Sequence, residues 1–395
     1  MGENRMTTNG EVFVVGACRT PIGKFLGGFK DTTAVDLGAI AIREAMRRAG
    51  VPAESVQEVI MGNARQAGSG PNPARQMALK AGILKETPAY TINKACGSGM
   101  KSAVLAAQEI RLGNADVMVA GGSENMTRVP FMLEGERLGY RLGHSTALDG
   151  MYRDGFLDPI AGILMGETAE VLAEKYKITK EEQDTFALGS QQKAEAAINA
   201  GKFKEETIPV DVKNGMVEAD EHPRFGATLE KVAKLPAVFK KNGTVTAGNS
   251  SGITDGAAAL VLVSADAVKR YGLKPMAALG DAVSVGVEPR EMGIGPHPAL
   301  LKLLKRTGKN LENYELIELN EAFAAQVLAV AREIPIPWER VNVNGGSIAL
   351  GHPIGCTGAR IIVTLLYEML KRNSKQGLAT LCISGGQGMA LEVLR

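Results

Sequence analysis

The chain has 395 residues, 45% of them hydrophobic, which is enough to bury substantial cores and to fill two or three domains rather than one. With 45 Lys and Arg against 43 Asp and Glu the net charge is +2, which excludes a global field for nucleic acid or an anionic membrane. Four cysteines (Cys18, Cys96, Cys356 and Cys382) are scattered without a CxxC pair, a usage that fits reduced thiols and argues against a disulfide framework or a zinc site.

The N-terminus, MGENRMTTNG, is polar and lacks the apolar core of a signal peptide, and the first ten residues are expected to form a loose tail. No run approaches the roughly 18 apolar residues of a membrane span. The final ALEVLR carries no targeting tripeptide, so the expected location is the cytoplasm. Strand-like and helix-like runs then alternate in an α/β rhythm. A strand is predicted over 11–17, a helix with Leu37, Ile40, Ala41 and Ala45 on one face, and a strand over 57–61. At 92–103 (INKACGSGMKSA) an apolar extended run bends into a helix, with Cys96 on the bend and a glycine on each side of Ser98. Met100, Val104 and Ala107 recur at helical spacing until Gly113-Asn114, and 115–123 reads as a buried strand ending in glycines.

From 123 to 245 the grain changes to Pro and Gly punctuation, many charges and one amphipathic segment around Glu167 to Ala200, which reads as an inserted domain. The strand 256–264 resumes the first unit. A second series follows, with a strand from Met276, a helix with Leu300, Leu303 and Leu304 on one face, and a bend at 345–355 (GGSIALGHPIG). A helix with Ile361, Leu365 and Met369 in line and a strand over 378–384 ending at Gly385-Gly386 complete it. Segments 47–64 (RRAGVPAESVQEVIMGNA) and 305–322 (KRTGKNLENYELIELNEA) align without gaps, sharing Arg48/Arg306, Gly50/Gly308, Glu54/Glu312 and Ala64/Ala322. Each copy offers a reactive residue on a bend before a helix: Cys96 in one and His352 in the other.

Small residues beside Cys96 let a ligand approach the backbone, and a helix starting just after the thiol aims free N–H groups and a positive dipole end at it, which favours thiolate. A plain buried cysteine is the structural alternative. His352, between glycines, is placed to expose its imidazole and to serve as the base for a thiol. Asn320 and Glu321 end an apolar strand, where helix capping is the plain alternative. Cys382 sits within a strand, where burial is the default. GxG starts at Gly97, Gly293 and Gly386 lack the third glycine of a dinucleotide fingerprint and no P-loop occurs, so a nicotinamide enzyme is not expected.

Taken in order, NKACGSGMKS, VAGGSENM, MGETAE, TAGNSSGITDGAA, NEAFAAQ, NVNGGSIALGHPIGCTGAR and CISGGQG resemble the motifs of the thiolase family from about Val12 to the C-terminus. The resemblance implies duplicated α/β halves, layered α-β-α-β-α, with a loop domain inserted in the first. The corresponding domains are 11–122 plus 246–272, then 123–245, then 273–395. It implies acyl transfer between coenzyme A thioesters: condensation of two acetyl-CoA to acetoacetyl-CoA plus CoA, and its reversal. On matching positions Cys96 becomes the acylated nucleophile, His352 its activator, and Cys382 the acid/base at the acetyl carbon. Asn320 would hold a water beside the enolate oxygen, and the N–H groups of Cys96 and Ser384 would form a second oxyanion hole.

Coenzyme A contacts implied in the same way are Met165, Arg224, Ala247, Ser251, Met292, Ala322 and Phe323; for Arg224 a solvated surface charge is the alternative. Leu164 stands where many acetyl-specific members have a histidine, so degradative cleavage of longer 3-ketoacyl-CoA chains stays open. Neither metal nor cofactor is implied, CoA thioesters being substrates, and a homodimer or homotetramer is expected. Two rivals are a decarboxylating condensing enzyme, which would need a second histidine at Asn320, and a non-catalytic acyl-CoA-binding protein, against which the Cys, Asn, His, Cys set argues.

Overall fold

The computed structural model describes residues 10–395, so the expected N-terminal tail lies, apart from Gly10, outside the described residues. The first half runs β1 (Val12–Arg19), α1 (Ala34–Ala49), β2 (Glu58–Gly62), α2 (Pro73–Ala81), β3 (Ala89–Ile92), α3 (Ser98–Arg111) and β4 (Val117–Asn125). After a long excursion containing α4 (Met165–Lys175) and α5 (Lys180–Asn199) it closes with β5 (Thr254–Ser264). The second half runs β6 (Ala277–Gly286), α6 (Pro296–Thr307), β7 (Leu316–Leu319), α7 (Ala324–Glu333), α8 (Ile354–Arg372), β8 (Gln376–Ile383) and β9 (Gln387–Leu394).

The strand order is β7-β8-β9-β6-β1-β5-β4-β2-β3. Read outward from the central β6/β1 pair, the two halves repeat one order: β1-β5-β4-β2 on one side and β6-β9-β8-β7 on the other. They meet edge to edge and antiparallel, Phe13 opposite Ala278. Within each half the outer pairs are parallel and the inner ones antiparallel.

Alternation along the strands sets the layers, because successive side chains point to opposite faces. Met118 and Ala120 of β4, Leu260 and Leu262 of β5, and Leu381 and Leu391 of β8 and β9 turn inward onto α3 and α8. Val119, Val261 and Val263 face outward onto α1 and α2, and Leu378 and Ala390 face outward onto α6 and α7. The result is a five-layer α-β-α-β-α molecule with α3 and α8 as its central layer. These two helices touch through glycines: a Cβ on Gly358 would lie 2.3 Å from the Met100 nitrogen, and one on Gly99 2.7 Å from the Ala359 nitrogen.

The gapless alignment of 47–64 with 305–322 has a structural counterpart. Gly50 and Gly308 both close a helix in the left-handed region, at φ 68° and 69°, where glycine carries no Cβ penalty. Each is followed at the same spacing by a single 3-10 turn, Ala53–Ser55 or Leu311–Asn313, and then by β2 or β7. The excursion occupies a definite place in this repeat. Between β8 and β9 the chain turns back through Ser384, Gly385 and Gly386, and the equivalent connection between β4 and β5 is Met126–Ile253. Its helical part differs from the single amphipathic segment expected: α4 and α5 are separate helices, broken where Lys177 adopts φ 52° and Thr179 caps α5 through Glu182. Among the described residues no helix is long and apolar enough to cross a membrane, and no cluster of three or more His, Cys, Asp or Glu is placed to hold a metal.

Candidate active site

The two bends converge. Cys96 and His352 line one cavity of about 190 Å³ between the halves, together with Leu164, Met165, Ser251, Met292, Ala322, Phe323 and Ser384. The Cys96 bend is strained: Ala95, just before it, has φ 44°, rare for a residue with a side chain. The turn is closed by Lys94 N–H donating to Ser98 Oγ at 2.8 Å and by Ser98 Oγ–H donating to the Ala95 carbonyl at 2.7 Å. Packing alone requires its glycines, a reason the sequence did not show. A Cβ on Gly97 would meet Ile383 Cδ1 at 2.6 Å, and Gly99 is the α8 contact described above.

The thiolate expectation is corrected. Cys96 is 8% exposed, and burial raises its pKa above that of an ordinary thiol. Arg65 and the N–H groups of Ser384 and Cys96 pull the other way without prevailing. Ser384 lines the same cavity as Cys96. The turn carrying Ser384 is anchored by the buried Asp158, whose Oδ2 accepts the Gly385 N–H at 3.0 Å.

His352 is buried at 6% exposure, not presented to solvent as its glycine neighbours suggested. Gly351, at φ 102°, has no room for a side chain, a Cβ there lying 2.5 Å from Thr254 Cγ2. His352 Nδ1 is 2.6 Å from Thr357 Oγ1, which donates its own hydrogen to the Pro353 carbonyl at 3.0 Å. The hydroxyl therefore accepts, Nδ1 carries the proton, and Nε2 is left with a free lone pair; it has no partner among the described residues. Burial first, then the charges of Arg360 and Arg65, push the imidazole down to about 3, so the resting pair is thiol and neutral imidazole.

Asn320 lies at the end of β7, 1% exposed. Its Oδ1 accepts from Ser347 Oγ at 2.6 Å, and Ser347 in turn accepts from Arg360 Nη2 at 2.8 Å. This fixes the amide orientation and leaves Nδ2 as a buried donor without a partner among the described residues. Neither Asn320 nor Glu321 caps α7, whose N-cap is Phe323; Glu321 instead accepts from Ser190, Asn342 and the Ile348 N–H. Cys382 is fully buried behind the cavity wall, packed with Met292, Ala322 and Phe323, and its thiol is pushed up by burial and then by the neighbouring Cys96. All four cysteines are free.

The expected coenzyme contacts divide. Ser251 is held at the cavity by its N–H donating to the Ala322 carbonyl at 3.0 Å. Arg224 and Ala247 are exposed outside it, joined by Arg224 Nη2 donating to the Ala247 carbonyl at 3.4 Å. Sequence reasoning missed Arg65, Thr357, Ser347 and Asp158. Thr357 carried a signal, one turn into the helix after His352; Asp158 and Arg65 carried none.

Two family models match the chain, "Thiolase, N-terminal domain" over residues 12–266 and "Thiolase, C-terminal domain" over 273–395. An acetyl-CoA acetyltransferase of Pseudomonas aeruginosa is 52% identical over 390 residues, covering 98% of this chain and 99% of that one. Among solved structures, the Bacillus anthracis acetyl-CoA acetyltransferase superposes with a TM-score of 0.95 at 45% identity, covering 97% of this chain and 98% of that one. Human mitochondrial 3-ketoacyl-CoA thiolase in complex with CoA gives a TM-score of 0.95 at 44% identity, with the same coverage. Family models over both halves, and identity near one half along the full length, leave one assignment for the duplicated fold and its paired cysteines: this chain belongs to the thiolase family, an acyltransferase family.

Proposed function

We propose that the chain is an acetyl-CoA C-acetyltransferase that makes and cleaves acetoacetyl-CoA through an acetyl group carried on Cys96. The observation that carries this reading is the meeting, on the wall of one cavity, of the Cys96 thiol, a His352 imidazole whose Nε2 is free among the described residues, and the Ser384 turn.

In the cleavage direction His352 Nε2 takes the Cys96 proton as sulfur attacks the ketone carbon, and the new oxyanion rests on the N–H groups of Cys96 and Ser384. Such donors are each worth about 3 to 4 kcal/mol when aimed at developing charge. The C2–C3 bond then breaks, leaving acetyl-Cys96 and the acetyl-CoA enolate. The enolate oxygen is met by imidazolium Nε2–H and by a water on Asn320 Nδ2, the donor left open by Ser347. Cys382 gives its proton to the enolate carbon and regains one from the imidazolium. A CoA thiol, deprotonated by His352, displaces Cys96, which takes that proton back. Condensation is the same sequence reversed. A neutral resting pair suits this cycle, because the imidazolium forms only alongside the anion that stabilises it.

Leu164, Met165, Ser251, Met292, Ala322 and Phe323 are proposed to hold the thioester end of the substrate, and Arg224 with Ala247 the outer part of CoA. We propose a homodimer or homotetramer working in the cytoplasm without metal or cofactor; the open edge of β3 supports self-association. A second reading, cleavage of longer chains, is favoured by apolar Leu164 in the cavity wall. Thiolysis of 3-ketoacyl-CoA substrates of rising chain length tests both: activity with acetoacetyl-CoA supports the proposal, and its absence with every length refutes it.

A further inference from the structure

Among the described residues three arginines are buried, and two are matched by acids. Arg19 pairs with Glu206 and Asp220, and Arg360 faces Glu318. Arg65, 7% exposed on the wall of the reaction cavity, forms no ion pair among the described residues. Its one side-chain hydrogen bond there is from Nη2 to the Gly155 carbonyl at 3.0 Å, and its Nε is buried without an acceptor. The nearby Glu124 is already engaged, accepting from Asn63 Nδ2 and from the N–H groups of Ala64, Arg65 and Gly355. The chain makes room for this cation. A Cβ at Gly155 would lie 2.8 Å from Arg65 Nε, and Gly155 sits in the π-turn Tyr152–Phe156, a form that concentrates at functional sites. A buried cation without its own anion is costly, and a planar fork of N–H groups fits a carboxylate.

We propose that Arg65 is a carboxylate-binding residue at the acyl end of the cavity, and that the chain accepts 3-ketoacyl-CoA thioesters whose acyl chain ends in a carboxylate. This rests on the thiolase reading and extends it to a substrate class. Thiolysis then follows the steps already given and leaves a carboxyacyl group on Cys96, its far end paired with the guanidinium. Arg65 also borders a second cavity with Lys80 and Arg128, but it shares the wall of the reaction cavity with Cys96 and His352.

The test compares thiolysis of two six-carbon substrates, 3-ketohexanoyl-CoA and its counterpart with a terminal carboxylate, by wild type, Arg65→Leu and Arg65→Lys. The ratio of their kcat/KM values cancels any general loss of activity. The wild type is expected to favour the carboxylate substrate, Arg65→Leu to lower that ratio at least tenfold, and Arg65→Lys to keep part of it. A wild-type ratio favouring the methyl-ended chain, or a ratio unmoved by Arg65→Leu, overturns the proposal. If the variants do not fold, acylation of wild-type Cys96 by succinyl-CoA against butyryl-CoA, read by mass, decides it: labelling by butyryl-CoA alone overturns it. Acetoacetyl-CoA is the control, since a wild type that cleaves it but fails these tests loses only this inference.

Discussion

At the residue scale the proposed chemistry turns on His352. Its folded-state pKa of about 3 lies below the ordinary value near 6.5, so between those limits the unfolded chain binds the extra proton. The stability conferred by the buried neutral imidazole is full above pH 6.5 and is lost as pH falls toward 3. Its ring resonances, identified by their loss in His352→Asn, should accordingly not titrate between pH 8 and 5; a midpoint near 6.5 would mean that the imidazole is solvated. Thr357 fixes the tautomer by accepting from Nδ1. Thr357→Val, nearly equal in volume, should lower kcat of thiolysis by roughly tenfold or more, since a base in the wrong tautomer is ineffective, while Thr357→Ser should retain most activity. Equal kinetics in both variants would remove Thr357 from the account. His352 and both cysteines were legible in the sequence as residue types on bends or in a strand. Their protonation states were not: burial is a property of the assembled layers, and at Cys96 it outweighs the opposing pull of Arg65.

At the scale of elements, the repeat was legible wherever local chemistry writes it down. Gly50 and Gly308 end their helices in the same left-handed conformation, and this shows as identical letters at identical spacing. The break between α4 and α5 was not legible, because Lys177 is an ordinary residue in a left-handed conformation with no glycine or proline to mark it. The reason for the glycines around Cys96 was equally hidden, since Ile383 and Ala359 come from the other half of the chain. The α3–α8 contact gives a direct test. Gly358→Ala forces a methyl group against the backbone of Met100, and overpacking of this kind typically costs about 1 to 3 kcal/mol. The urea midpoint should fall, and acylation of Cys96 should slow, because Met100 lies one turn beyond Cys96. An unchanged midpoint would show that the helices separate without cost.

At the scale of the whole molecule, duplication explains why two cysteines meet although their positions in the chain are far apart. The first half delivers Cys96 before α3. The second delivers Asn320, His352 and Cys382 from three elements in succession, and the connection that in the second half is the short turn at Ser384 has become, in the first, the excursion whose Leu164, Met165 and Ser251 line the same cavity. The central claim is a division of labour, Cys96 carrying the acyl group and Cys382 moving the proton at carbon. It is tested most directly by incubating Cys382→Ser with acetyl-CoA in deuterium oxide and reading both the protein and the thioester by mass. The account predicts an acetyl group on the Cys96 peptide and no deuterium in the acetyl methyl group; undiminished deuterium uptake, or a Cys96 peptide without acetyl, would contradict it.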